Sequence, residues 1–205
     1  NDSVSFGVVL TSNSVAGGAG EDTLNFAAAV DGGANISADA GSDLLLFSST
    51  ISSAGVFGGS GADSMVFKGA ISNSTIDFGA DSDILTFSVA STSTTILGGA
   101  GADTLIFTSG SNLVESSISG GADGDSLFFS AGTQTSASIA GGGGNDTMVF
   151  NDTVGSSLFV SLDQGADSVS FVTNVAGATM HGGNGIQTVA FSSASDLMTF
   201  QGTFG

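Results

Sequence analysis

Five residue types are absent from the sequence: Cys, Pro, Trp, Tyr and Arg. Without Cys, neither a disulfide framework nor a thiolate-bound metal can form. No apolar run approaches the roughly 20 residues of a membrane-spanning helix, so we expect no membrane insertion. Because the sequence opens with Asn1 and no apolar signal segment follows, we expect a mature product or a piece of a longer chain.

Basic residues are nearly absent as well. Lys68 is the one Lys or Arg, against 19 acidic residues, and the formal net charge is −18. A chain of this charge repels nucleic acid and anionic membranes and favours cationic partners, above all metal ions. The composition includes 33 Gly, but 16 Phe and a hydrophobic fraction of 40% provide material for a core, which argues against disorder.

An internal repeat organises the whole sequence. Ten segments, spaced by 20–22 residues, start at Asp2, Asp22, Asp43, Asp63, Asp83, Asp103, Asp125, Asp146, Asp167 and Gln187. A Phe follows each start by four residues, ten times in ten: Phe6, Phe26, Phe47, Phe67, Phe87, Phe107, Phe129, Phe150, Phe171 and Phe191. A Leu, Met or Val follows each start by two residues.

This spacing predicts β-strands. Apolar residues two and four positions after the start point to the same face of a strand. A second series, mostly Ile and Val, lies seven residues before the next start and marks a second strand, which a glycine-rich turn joins to the first. One such coil cannot bury its apolar face alone, but stacked coils form continuous ladders. We therefore predict an all-β fold: a parallel β-solenoid of ten coils of about 20 residues, with two short strands per coil, spanning residues 1–205 as a single uncapped domain.

The turn before the starting Asp is rich in glycine. It reads GGAGED at residues 17–22, GGSGAD at 58–63, GGAGAD at 98–103 and GGGGND at 141–146. Glycines permit backbone conformations that turn carbonyl oxygens toward one point, and Asp adds an anionic oxygen, which together form a calcium ligand set. At a coil spacing of about 4.8 Å, one ion can bridge the Asp residues of two coils. The alternative is that Gly and Asp are only turn formers with solvated carboxylates.

These turns resemble the calcium-binding nonapeptide GGxGxDxUx, with U a large apolar residue, of the repeats-in-toxin family of bacterial secreted and surface proteins. Residues 17–25, 58–66, 98–106 and 141–149 fit it. The resemblance implies an extracellular or cell-surface protein that binds several Ca²⁺ ions and is exported by a type I pathway. Family β-rolls carry two nonapeptides per coil and this chain only one, so we expect calcium along one edge of the solenoid.

The candidate calcium ligands are the starting Asp residues, an extra Asp in every second turn, and the glycines of the four full motifs. The carboxylates are Asp2, Asp22, Asp39, Asp43, Asp63, Asp81, Asp83, Asp103, Asp123, Asp125, Asp146, Asp163 and Asp167. The glycines are Gly17, Gly18, Gly20, Gly58, Gly59, Gly61, Gly98, Gly99, Gly101, Gly141, Gly142 and Gly144. The extra Asp residues predict five double-coil units of near 41 residues with alternating ion sites, and Gln187 is expected to weaken one site.

The termini suggest assembly, because joined end to start they read GTFGND, in phase with the turn motif. We predict a calcium-stabilised structural protein that forms a surface filament, fibril, surface layer or adhesin stalk by end-to-end stacking of coils. Two alternatives stay open: a calcium-dependent ligand- or ice-binding adhesin module, and a secretion and folding module of an exported enzyme. The outward turn residues are mainly Ala, Ser, Gly and Glu, which argues against ice binding at the turns. Catalysis is not expected, since His181 has no partner in the sequence that would form a catalytic pair.

Apolar residues also occupy outward positions of the first strand. They are Leu44, Leu46, Val66, Ile84, Ile106, Phe128 and Val149. An exposed apolar stripe usually marks an interface, so we predict lateral self-association or cover by another segment at these residues. The alternative is a strand surface that tolerates apolar side chains.

Overall fold

The computed structural model describes residues 1–108, 110–130, 132–155, 157–192 and 197–202. Within these ranges the chain forms 27 strands and no helix, and so contains no helix able to cross a membrane. The strands pair in parallel into three sheets, which confirms the predicted all-β parallel β-solenoid. Residues 203–205, on which the predicted joining of the termini depends, lie outside the described residues.

Sheet 1 contains the strand that follows each Asp turn. Its ten strands are Ser3–Phe6, Thr23–Phe26, Leu44–Phe47, Ser64–Phe67, Ile84–Phe87, Thr104–Phe107, Ser126–Phe129, Thr147–Phe150, Ser168–Phe171 and Thr188–Phe191. Neighbouring strands pair residue for residue without a register shift. Equivalent residues of successive coils therefore form unbroken columns.

Sheet 3 contains the strand that precedes each Asp turn. Its ten strands are Ser14–Ala19, Asn35–Ala40, Gly55–Ser60, Thr75–Ala80, Thr95–Ala100, Ser117–Ala122, Ser138–Gly143, Phe159–Ser161, Ala176–His181 and Leu197–Gln201. Its register shifts once, between Ala176 and Ala178. The glycine-rich turn connects sheet 3 to sheet 1 of the next coil, so all Asp turns lie along one edge.

Sheet 2 lies between the other two, and the sequence prediction omitted it. It has seven strands of two residues: Leu10–Thr11, Val30–Asp31, Ile51–Ser52, Ile71–Ser72, Ser91–Thr92, Leu113–Val114 and Gln134–Thr135. Isolated bridges continue it through Val154 to Val175. Two strands per coil was therefore an incomplete prediction, since each of these coils has three sides. A two-residue strand is too short to show a period-two pattern.

The core consists of inward columns contributed by the sheets. In sheet 1, Leu24 and Phe26 are buried and alternate with half-buried outward residues, and the alternation of buried with half-buried or exposed residues continues to coil 9. Successive Phe rings from Phe6 to Phe191 have centroids 4.6–5.7 Å apart. In sheet 3 the column from Ile36 to Met180 is equally buried. The predicted apolar ladders are thus confirmed.

Candidate metal centre

The starting Asp residues point into the solenoid. Asp22, Leu24 and Phe26 are two residues apart, so the alternation of the strand gives all three the same inward orientation. The carboxylates of coils 2–9 are only 1–2% exposed: Asp22, Asp43, Asp63, Asp83, Asp103, Asp125, Asp146 and Asp167. We call these eight residues the Asp column. Asp2, in the first coil, is exposed.

One oxygen of each carboxylate joins neighbouring coils. The backbone N–H of Asp83 donates to Oδ1 of Asp103 at 2.8 Å. The same bond recurs from Asp2 to Asp146, each donating to the next Asp, with distances of 2.5–2.9 Å. Hydrogen bonds to an ionised acceptor are stronger than neutral ones. Oδ1 therefore stabilises the stacking of coils and fixes the orientation of the carboxylate.

The other oxygen of each carboxylate is an unsatisfied acceptor. Oδ2 of all eight Asp-column residues is buried, and it has no hydrogen-bond partner among the described residues. A buried polar atom without a partner costs about 1–3 kcal/mol, and more when it carries charge. The turn edge therefore has a row of buried acceptors that a cation or a proton would stabilise.

The free oxygen faces the glycine that opens the turn. A methyl group built on Gly98 would lie 2.6 Å from Oδ2 of Asp103, and it would also overlap the carbonyl oxygen of Gly120 in the next coil. Gly58 is placed in the same way against Oδ2 of Asp63 and the carbonyl oxygen of Phe78. The absence of a Cβ thus leaves a space that a carboxylate oxygen and a carbonyl oxygen both approach.

The second and fourth motif residues are glycine for a different reason. Gly59 and Gly61 have φ of +113° and +104°, a region that L side chains rarely adopt. Positive φ recurs at the equivalent glycines Gly18, Gly20, Gly99, Gly101, Gly142 and Gly144. These glycines therefore adopt a backbone conformation that disfavours side chains, whereas at Gly17, Gly58, Gly98 and Gly141 neighbouring oxygens leave little room for a Cβ.

Gln187 shows how the turn is satisfied where the carboxylate is missing. Its Oε1 accepts the backbone N–H of Asp167 at 3.2 Å and so continues the ladder of hydrogen bonds that the Oδ1 atoms form between coils. Its Nε2 donates to the carbonyl oxygen of Gly165 at 3.1 Å. A hydrogen-bond donor therefore replaces the free oxygen of the other coils and satisfies one neighbouring carbonyl acceptor. That Gln187 weakens an ion site stays a prediction.

The four extra Asp residues lie outside the Asp column. Asp39 and Asp163 precede the next start by four residues, and Asp81 and Asp123 by two, so they do not occupy one equivalent position. All four have positive φ, and all except the half-buried Asp163 are exposed. The predicted alternation therefore involves the outer turn surface, while the inward Asp residues are equivalent from Asp22 to Asp167.

Burial raises the pKa of the Asp-column carboxyls from Asp43 to Asp167. Loss of hydration is the largest cause, the backbone N–H donated from the preceding coil opposes it, and nearby acidic groups add to it. The pKa is raised to about 6 for Asp63, Asp103 and Asp146, and to about 7 for Asp83 and Asp125. For Asp43 and Asp167 the pKa is raised for the same first reason. The exposed Asp81 contributes to the raised pKa of both Asp63 and Asp83.

These donors fit a hard divalent cation. Carboxylate and carbonyl oxygens are the ligands that Ca²⁺ prefers. Among the residues that the structure describes, no three His, Cys, Asp or Glu side chains are grouped as a metal cluster. A bound ion would therefore take its ligands from Oδ2 of the Asp column together with backbone carbonyl oxygens of the turn.

Sequence reasoning missed the inward orientation of the Asp column and the ladder that it forms. The sequence contained the information, because each Asp lies two residues before a core residue and residues two apart on a strand point to the same face. Gly120, which approaches Oδ2 of Asp125, was also missed, although it opens the turn at residues 120–125. In two other turns the equivalent residue is Phe78 or Leu162, and both side chains are buried.

The predicted interface residues all lie on the outward face of sheet 1. They are Leu44, Leu46, Val66, Ile84, Ile106, Phe128 and Val149. Neighbouring coils cover part of each side chain, and Ile84 is the most exposed at 49%. Self-association through this face stays a prediction.

Comparison with known proteins bears on the fold. No protein-family model and no curated protein matches the chain. A solved structure does match: the X-ray crystal structure of a hyperactive, Ca²⁺-dependent, β-helical antifreeze protein from an Antarctic bacterium. The TM-score is 0.62 at 22% sequence identity, and the match covers 100% of this chain and 68% of that protein. The likeness confirms a β-helical fold over the whole chain, whereas the resemblance to the repeats-in-toxin family rests on the turn motifs alone.

Proposed function

We propose that this chain is a calcium-stabilised extracellular β-solenoid that serves as a binding module, with Ca²⁺ as its folding cofactor. The observation that carries the proposal is the row of eight buried Oδ2 atoms along one edge. Ionised carboxylates in this position destabilise the fold unless positive charge enters the turn. The similar antifreeze protein is Ca²⁺-dependent, which supports the same requirement in this chain.

The chain's own residues prepare the place for the ion. The Oδ1 ladder holds each carboxylate in a fixed orientation, and the opening glycine, such as Gly98, leaves room beside Oδ2 of Asp103. Ca²⁺ would be held by Asp-column Oδ2 atoms and turn carbonyl oxygens such as that of Gly120. A bound ion would supply the positive charge that the column lacks. Because the metal-free turn is unfavourable, binding free energy becomes folding free energy.

A binding role is better supported than a structural filament. The similar β-helical protein is an antifreeze protein, so the comparison favours the ligand- or ice-binding alternative, and ice is the first ligand to consider. End-to-end assembly into a filament, fibril or surface layer, attachment to the cell surface and export by a type I pathway stay predictions. A secretion module of an exported enzyme likewise stays a prediction. We propose no catalytic role for the chain itself.

Calcium titration tests the proposal. The purified chain in chelator should show little β-strand signal by circular dichroism, and adding Ca²⁺ should restore it. Isothermal calorimetry should detect several ions per chain. Mg²⁺ is the control, because it demands a tighter octahedral site and dehydrates reluctantly, and it should not restore the fold at equal concentration. A full native spectrum in chelator would show that calcium is not the folding cofactor.

A further inference from the structure

We infer that the outward face of sheet 1 is the binding face and that its ligand is ice. The inference rests on the proposed binding function. Two columns make up the face, one and three residues after each start. Eight of the ten residues in the first column are Ser or Thr, and the other two are Leu44 and Ile84. From Leu46 to Val149 the second column is apolar except for Thr86.

This face carries no charge, although the chain has 19 acidic residues. None of the outward residues in the described strands of sheet 1 is Asp, Glu, Lys, Arg or His. Charged groups hold hydration water strongly and are costly to strip of it. A neutral face on so acidic a chain therefore fits a neutral partner, and it disfavours nucleic acid, ions and charged membranes.

The face is also periodic in two directions. The strands of sheet 1 pair without a register shift, so side chains repeat at about 4.8 Å along the axis, over roughly 43 Å for ten strands. Across the strand, the two columns lie about 7 Å apart. A crystal surface is the partner whose groups also repeat over such a length. A hydroxyl both donates and accepts hydrogen bonds, as each water molecule in ice does.

Rigidity favours adsorption to a solid. Thr104, Ile106, Thr147 and Val149 are β-branched and half-buried or held between neighbours in a strand, so their χ1 angles are restricted. Little side-chain freedom remains to be lost on binding. Individual van der Waals contacts are weak, but a rigid face of this length makes many at once.

Other partners and other faces fit less well. Trp and Tyr, which combine an apolar ring with a polar group, are absent from the chain, and Phe128 is the one outward aromatic residue in the described strands of sheet 1. A polysaccharide is therefore not favoured. The outward face of sheet 3 carries Asp77 and His181, and its register shifts between Ala176 and Ala178. It is neither neutral nor fully periodic.

Paired double variants of the calcium-loaded chain test the inference. Thr104→Glu with Thr147→Glu places two charges on the face of sheet 1. Thr75→Glu with Thr95→Glu adds the same charge on sheet 3, also at one exposed and one half-buried Thr. The measurements are thermal hysteresis and the shape of single ice crystals grown in pure water with Ca²⁺. We expect activity in the wild type and the sheet 3 variant, and loss of activity in the sheet 1 variant.

Circular dichroism and calcium titration establish that each variant is folded. A folded, calcium-loaded wild type without hysteresis would overturn the inference. So would equal loss in both variants, or loss in the sheet 3 variant alone. Sedimentation velocity tests whether a second copy of the chain binds this face instead. If the wild type has no ice activity and forms a dimer that the sheet 1 variant does not form, the face is a contact between two copies. In each of these outcomes the calcium proposal stands, since a native fold in chelator is what contradicts it.

Discussion

The two carboxylate oxygens of each Asp in the column have different surroundings. Oδ1 accepts the backbone N–H of the preceding coil, and Oδ2 is left without a partner. In Gln187, Oε1 accepts the backbone N–H of the preceding coil as Oδ1 does, but an N–H donor takes the place of the free Oδ2. The contrast between Asp and Gln at equivalent positions indicates what a neutral side chain would do elsewhere in the column.

Asp103→Asn should therefore stabilise the metal-free chain and weaken calcium binding. The Asn oxygen can keep the bond from the N–H of Asp83, and its amide N–H can serve the neighbouring carbonyl oxygens. We expect a gain of about 1–3 kcal/mol in chelator, from removal of one unsatisfied buried acceptor, with fewer ions bound by calorimetry. The folded fraction in chelator, followed by circular dichroism, measures the first effect.

Asp77→Asn is the matched control, because Asp77 lies on the outward face of sheet 3. Its effect should stay within about 0.5 kcal/mol. A lower stability of Asp103→Asn in chelator would contradict the assigned role of Oδ2.

Gly98→Ala should destabilise the calcium-loaded protein. The new methyl group would overlap Oδ2 of Asp103 and the carbonyl oxygen of Gly120. Overpacking of this kind costs about 1–3 kcal/mol. Gly143→Ala is the control: a Cβ there meets nothing within 4 Å, so its effect should be within about 0.5 kcal/mol. Thermal melting of both variants distinguishes them, and equal losses would argue against a close approach at Gly98.

Among the elements, sheet 1 contributes a column of Phe residues that are among the largest fully buried side chains of the core. Phe107 is fully buried, packs against Phe87 with tilted rings at 5.5 Å and stacks on Phe129 at 4.8 Å. Phe107→Ala should cost about 3–5 kcal/mol. Phe6 is half-buried and is stacked on Phe26 alone among its column neighbours, so Phe6→Ala should cost clearly less. Urea unfolding in saturating Ca²⁺ measures both, and equal losses would contradict a core built by stacking along the column.

The elements also show how far the sequence predicts this fold. Strands of sheets 1 and 3 follow from the repeat, because one strict column, Phe, fixes the phase for every coil. Sheet 2 does not follow, since its strands are two residues long and its inward column mixes Leu10 and Ile51 with Ser91 and Gln134. The Asp turn was located correctly, but its ladder depends on a bond between residues 20–22 apart, which a local motif does not show.

For the whole molecule, we expect the folding stability to fall with rising pH when calcium is absent and to rise with pH when calcium is bound. In the metal-free protein the pKa is about 6 for Asp63, Asp103 and Asp146 and about 7 for Asp83 and Asp125, against an ordinary 3.8, so the native state holds more protons than the unfolded chain between these values. The stability that these carboxyls contribute is therefore fully present below about pH 4 and is lost as the pH rises through 7. With Ca²⁺, binding requires the ionised form, so stability should rise over the same range.

Circular dichroism at pH 4.5 and pH 7.5, in chelator and in saturating Ca²⁺, measures the folded fraction under each condition, and urea unfolding gives the stability wherever the chain is folded. Because each tenfold change in proton affinity corresponds to about 1.4 kcal/mol, several carboxyls acting together should give a readily measured difference. The same sign of slope with and without calcium would contradict the prediction.

The bonds between coils run along the axis of the molecule, and this geometry governs how it yields to force. A pull on the two ends loads the terminal coil first, so coils should peel off one at a time. Each coil of 20–22 residues releases about 70 Å of chain in exchange for about 4.8 Å of axial length. We expect optical tweezers to record a staircase of nearly equal steps, at a force that rises with calcium concentration. The rod would then act as a tether whose breaking tension is set by the calcium of its surroundings.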